Sequence, residues 1–191
     1  MRRLILSTIT VASLALLTGC ANKVPNYSSS LQNIRAVKNL QVEEKTTVNI
    51  ATFTAKNEGE AKVMCRLAVP VGTPDGMTFA KYVEDALATE LEMGNMLDPK
   101  SKITLTGSLE NVYGSTVLAN AYWEHKLKIT SSNGQSMEKI SRYDYESSFS
   151  AYSACSEMQR SYLPAVQKLV NDMVTDPHFK DLIKNKDLAK N

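Results

Sequence analysis

Residues 119–129 read A-N-A-Y-W-E-H-K-L-K-I, and this stretch sets the frame for its neighbours. Ala119, Ala121, Trp123, His125, Leu127 and Ile129 fall on one side at a period of two, while Glu124, Lys126 and Lys128 fall on the other. That alternation predicts a strand with one buried face and one wet face. Asn133-Gly134 follows, the strongest short hairpin signal. Beyond it a further strand is expected to turn Tyr143, Tyr145 and Phe149 inward and Arg142, Asp144 and Glu146 outward. Upstream, Ile103, Leu105 and Leu109 face in, against Lys102, Thr104, Thr106, Ser108 and Glu110.

Three strands with one apolar face need a cover, and the flanking segments supply it. Thr78 is placed to cap a helix in which Phe79, Tyr82, Val83, Ala86, Leu87 and Leu91 keep helical spacing until Gly94 stops it. Glu84, Asp85, Glu90 and Glu92 read as its solvated side. A second helix begins near Ser153 and carries Cys155, Met158, Ala165, Val166, Leu169, Val170, Met173 and Val174, with Pro164 expected to kink it. Asp176-Pro177 restarts a short helix bearing Phe179, Leu182 and Ile183. Two more strands precede all this. One lies within Thr47–Thr54; the other is a period-two run from Ala61 to Val71, after the turn Asn57-Glu58-Gly59-Glu60. The expectation is an α+β fold of order β-β-α-β-β-β-α. Its one mostly antiparallel or mixed sheet carries two main helices packed on one face.

The N-terminus reads as an address. Met1-Arg2-Arg3 is a short basic segment, Leu4 to Leu17 is mostly apolar, and Leu17-Thr18-Gly19-Cys20 closes it. This is the anatomy of a secretory signal; a membrane-spanning anchor is the alternative, at the short limit of length. The four closing residues resemble a bacterial lipobox. The resemblance implies that the chain is cut before Cys20, that this Cys carries diacylglycerol, and that two or more acyl chains hold it stably. Ala21 in place of Asp implies sorting to the outer membrane, facing the periplasm. The division expected is a signal peptide at 1–19, lipidated Cys and tether at 20–44, one domain at 45–184 and a polar tail at 185–191. Within the tether, Leu31, Ile34, Val37 and Leu40 form a possible helical stripe that would dock on the domain.

Charge and cysteines agree with that compartment. The whole chain has 22 basic and 20 acidic residues; loss of Arg2 and Arg3 balances them, which leaves no electrostatic case for nucleic acid. Cys65 and Cys155 remain as an even pair. Outside the cytosol they are expected to form a disulfide, the alternative being two buried thiols.

No nucleophile elbow, phosphate loop, dinucleotide fingerprint or zinc-protease motif is present. The only histidines, His125 and His178, cannot make a zinc site by themselves. His125 reads as a hydrogen-bonded residue near the edge of the core, His178 as surface. Asp144 and Glu146 share a strand face and could in principle do acid–base work. With Arg142 on that face and Lys126 or Lys128 across the hairpin, charge pairing explains them better. No catalytic residue, metal or cofactor is assigned. Lys126, Lys128, Arg142, Asp144 and Glu146 are instead the candidate face for a partner.

The lipobox, the helix F-A-K-Y-V-E-D-A-L-A-T-E-L-E, the strand I-T-L-T-G-S-L and the closing L-V-N-D-M-V-T-D-P-H-F-K-D-L-I resemble small outer-membrane lipoproteins of the YajG type. The element order is also similar to the lipopolysaccharide-assembly lipoprotein LptE, which plugs a barrel partner. The anchor, the tether, the compact domain and the absence of a catalytic constellation lead to the expectation of a non-enzymatic, membrane-tethered accessory module with an envelope protein as partner. The alternative is a module that binds peptidoglycan or a lipid in a pocket between sheet and helices.

Overall fold

The structure, a computed structural model, describes residues 22–67 and 69–184. In chain order it contains β1 (Asn22–Lys23), α1 (Leu31–Glu44), β2 (Asn49–Ile50), β3 (Thr54–Ala55), β4 (Lys62–Cys65), β5 (Val69–Gly72), α2 (Phe79–Met93), β6 (Thr104–Val117), β7 (Asn120–Ser131), β8 (Ser136–Tyr145), α3 (Ala151–Val174) and α4 (Pro177–Ile183). The class is α+β with a mixed sheet, as expected. Leu17, Thr18, Gly19 and Cys20, and the tail at 185–191, lie outside the described residues.

The long strands β6, β7 and β8 pair antiparallel, and β2 and β3 add to β6 in parallel. In β7, Ala121, Trp123, Leu127 and Ile129 are buried on one face, as the alternation requires, and His125 is buried among them. Ala119 is not. It sits in the β6–β7 turn at φ 60°, where the chain reverses. In β6 a bulge at Glu110 shifts the register between Leu109 and Asn111. The inward residues are therefore Leu105 and Leu109 before it, and Val112 and Gly114 after it, opposite His125 and Trp123. A Cβ at Gly114 would lie 2.2 Å from Met158 Cε and 2.9 Å from Trp123 Cζ3, so a larger residue there would require these side chains to shift.

The cover forms as its periodicity demands. All six stripe residues of α2 are buried, and the Thr78 hydroxyl accepts from the Lys81 N–H at 3.1 Å. Helix α3 lies on β7 and β8 and buries its entire expected stripe. Ser150 rather than Ser153 caps it, and it runs through Pro164 as one helix, with buried Tyr162 and Ala165 gripping the core on either side. Asp176 caps α4 ahead of Pro177.

Two expectations are corrected. The segment read as a tether is, from Val24 onward, part of the packed body: α1 packs on α2 and α3 and buries Asn33, Val37 and Leu40. The run from Ala61 to Val71 is a hairpin rather than one strand. The chain reverses after Cys65, with Arg66 and Leu67 at φ 49° and 56°, so that Cys65 pairs with Val69. With β1 added in parallel, this hairpin forms a separate three-stranded sheet. Cys65 is bonded to Cys155, as expected, across 90 residues of sequence, with Cα atoms 5.8 Å apart.

Candidate functional site

The outer face of the β6–β8 sheet carries four of the five residues expected to meet a partner, and the structure sorts them. Lys126 is paired with Glu138 at 3.0 Å. Lys128 stands opposite Glu138 in the ladder and is exposed. Arg142 organises the other end. Its guanidinium carbon lies 3.6 Å from the centre of the Tyr122 ring. Its Nε donates to Asp144 Oδ1 and its Nη2 to Asn120 Oδ1, both at 2.8 Å. The Tyr122 ring meets that of Tyr113 5.8 Å away, so a cation, two rings and a carboxylate form one continuous surface. Glu146 lies just past the end of β8 and is exposed, off the strand face on which it was expected.

Beside this surface opens a groove of about 370 Å³, lined by Asn120, Arg142, Asp144, Tyr145, Glu146 and Ser147 among others. The Tyr145 hydroxyl donates to Ser115 O at 2.8 Å and Ser147 Oγ to Thr116 O at 2.9 Å, which fixes one wall against β6. Burial raises the Tyr145 phenol above its ordinary range, against a smaller lowering by Arg66. At neutral pH it remains a neutral hydrogen-bond donor.

The space between sheet and helices is filled. Trp123, Met158, Tyr162, Val166 and Phe79 are all buried there, and Trp123 Nε1 donates to Met158 O at 2.9 Å. His125 sits among these rings, 5.4 Å from Tyr162 and 1% exposed, more deeply than its edge-of-core expectation. Its Nε2 has no partner, and burial lowers its pKa to about 4. It is a buried core residue, held neutral by its surroundings.

Glu90 corrects the expected solvated face of α2. It is 0% exposed, and its Oε1 accepts from the Tyr27 hydroxyl at 2.6 Å, the Ser30 N–H at 2.8 Å and Asn33 Nδ2 at 3.2 Å. Burial, then this bond, raises the Tyr27 pKa. One carboxylate thus ties the N-terminal segment and α1 to α2. A signal for it existed: position 90 stands on the same stripe as Val83, Ala86, Leu87 and Leu91. Glu84 is also engaged, accepting from the Phe53 N–H at 2.7 Å.

Among the described residues no group of three or more His, Cys, Asp or Glu could hold a metal. No described helix is long and apolar enough to cross a membrane. No family model matches the chain, and no curated protein matches it. Among solved structures the chain is similar to the crystal structure of protein XCC0632 from Xanthomonas campestris, described under the family model DUF330. Identity is 10%, the likeness covers 71% of this chain and 85% of that one, and the TM-score is 0.49.

Proposed function

We propose that this chain is a lipid-anchored periplasmic protein of the bacterial outer membrane, and that it works without catalysis as a binding subunit of an envelope complex. The anchor is Cys20, on the strength of the Leu17-Thr18-Gly19-Cys20 pattern behind a basic and apolar leader. The binding role rests on β8. It is the last strand of its sheet, and among the described residues no strand pairs with its outer side. An open edge is a template for an added strand. Along this one Ile140, Arg142 and Asp144 stand exposed beside the groove. Main-chain pairing would supply affinity, and the Tyr122–Arg142–Asp144 surface would select the partner segment.

The test is photo-crosslinking in cells, with a reactive amino acid at Ile140 of the full chain and the exposed turn residue Glu58 as control position. One stoichiometric envelope protein should be captured from Ile140 and lost on Arg142→Glu. Equal capture from both positions, or none from Ile140, removes the reading.

A further inference from the structure

The end of the molecule where β6 turns into β7 is held rigid yet left apolar. Arg66 does most of the holding. Its Nη1 donates to Phe149 O at 2.8 Å, and its Nη2 donates to Ser148 O and to Thr116 O. One guanidinium therefore joins the β4–β5 turn, the tip of β6 and the chain leading into α3. The Cys65–Cys155 bond staples the same turn to the first turns of α3. Around this junction Leu67 is 93% exposed, Phe149 87% and Tyr152 78%, with Val117 and Leu118 beside Thr116 also exposed. Phe149 was expected to face inward on a longer strand. Instead β8 ends at Tyr145, opposite Ala121 at the start of β7, and beyond it Ser147 bonds Thr116 O while Arg66 bonds Ser148 O and Phe149 O. Exposed apolar residues that cluster on a fixed frame mark an interaction surface.

The direction of the chain at its N-terminal side says what covers it. β1 is parallel to β5, with Asn22 opposite Val71 and Lys23 opposite Gly72. β1 therefore begins on the side of Val69, that is, towards the β4–β5 turn that carries Leu67. Lys23 is fixed there by Val24 N–H to Gly72 O at 2.8 Å and by the Gln159 amide, which donates to Lys23 O. Gln159 lies about 10 Å further along α3 than Tyr152, so both registers point the same way. Residue 20 is two residues from Asn22, within about 7 Å of it.

We infer that this end rests on the lipid bilayer. Leu67, Val117, Leu118, Phe149 and Tyr152 dip into the headgroup and acyl boundary of the membrane that holds the N-terminal lipid. The inference rests on the proposed acylation of Cys20. The anchor and the apolar end then act together: the lipid supplies retention, and the protein surface sets one orientation, with the outer sheet face and its groove standing at the membrane surface.

The test uses full-length lipidated protein in vesicles of phosphatidylethanolamine and phosphatidylglycerol with brominated acyl chains. Phe149→Trp is compared with Ile140→Trp. Both sites are exposed, so packing is undisturbed, and buried Trp123 is a common background. Emission from position 149 should shift to the blue and be mostly quenched, and emission from position 140 should stay unquenched. Protein that floats with the vesicles but shows no quenching at 149, or equal quenching at both positions, overturns the orientation and leaves the anchor standing. Protein that fails to float overturns both.

Discussion

The two ends of the long hairpin differ in kind. At the β6–β7 end a buried disulfide and one guanidinium lock three segments together, yet their outer side chains are Leu67, Val117, Leu118, Phe149 and Tyr152. At the β7–β8 end the fastening is polar and so is the surface. The Asn133 amide donates to the carbonyls of Asp181, Leu182 and Lys184 at 2.9, 3.1 and 3.0 Å. Lys139 meets Asp176 at 2.5 Å, Lys184 meets Asp181 at 2.8 Å, and Lys180 bonds Glu43. Val42 is exposed near Glu43 and Glu44, as a single residue. Both ends are well tied, so the apolar one is not a fold left unfinished. The contrast gives the molecule an axis with an apolar end and a polar end.

The largest expected effect breaks the apolar end. The Cys65→Ser, Cys155→Ser protein should lose about 4 kcal/mol of stability, by the chain-entropy relation for a loop of this size. Denaturant titration checks the loss. Hydrogen exchange should place the new opening at the β4–β5 turn and the start of α3, leaving the Asn133–α4 end protected.

The middle of the axis is sensitive to acid. Folded His125 resists protonation until about pH 4, whereas unfolded histidine accepts a proton near 6.5. Stability from this residue is complete above pH 6.5 and falls as pH drops from there to 4, by about 3 kcal/mol in all. His125→Phe should match or exceed the parent at pH 7.5, since it removes an unpartnered buried nitrogen, and should flatten that part of the acid limb. An unchanged slope in thermal melts across the window would contradict the burial argument.

The polar end should respond more weakly. Asp176 caps α4, and the Lys139 hydrogen bond, with those from His178, holds its carboxyl well below the usual range. Asp176→Ala should cost about 1–2 kcal/mol and leave bilayer contact at position 149 unchanged. Smallest of all, Lys126→Ala should change stability by less than about 1 kcal/mol, because its pair with Glu138 is half exposed to solvent. It should leave capture by β8 intact, since the groove lies at the Arg142 end.

The parts of this axis that sequence could reveal were those governed by period and by turn chemistry. The α2 stripe, the Thr78 cap, the Asn133-Gly134 turn and the inward residues of β7 all follow from local rules. The apolar end escaped those rules. Arg66, Leu67 and Ala119 adopt positive φ without being glycine or asparagine, so nothing in their identity announces a reversal. The alternation through Ala61–Val71 continues across the turn and hides it. The bulge at Glu110 changes the phase of β6 without a glycine or proline to mark it. Glu90 was misread because its charge outweighed its position on the stripe, and the three donors that bond its Oε1 come from 57 to 63 residues away. Of the partner face, Arg142 and Asp144 were legible as a same-face pair. The groove beside them was not, since it depends on Tyr145 and Ser147 reaching back to β6.

The proposed orientation of this axis begins at Cys20, so the most direct measurement is the intact mass and N-terminal peptide of the protein purified from membranes. The expected first residue is Cys20, carrying diacylglycerol on sulfur and an acyl group on its amine. A chain that begins at Met1, or one cut elsewhere and free of lipid, would contradict the anchored reading and the bilayer-facing end with it.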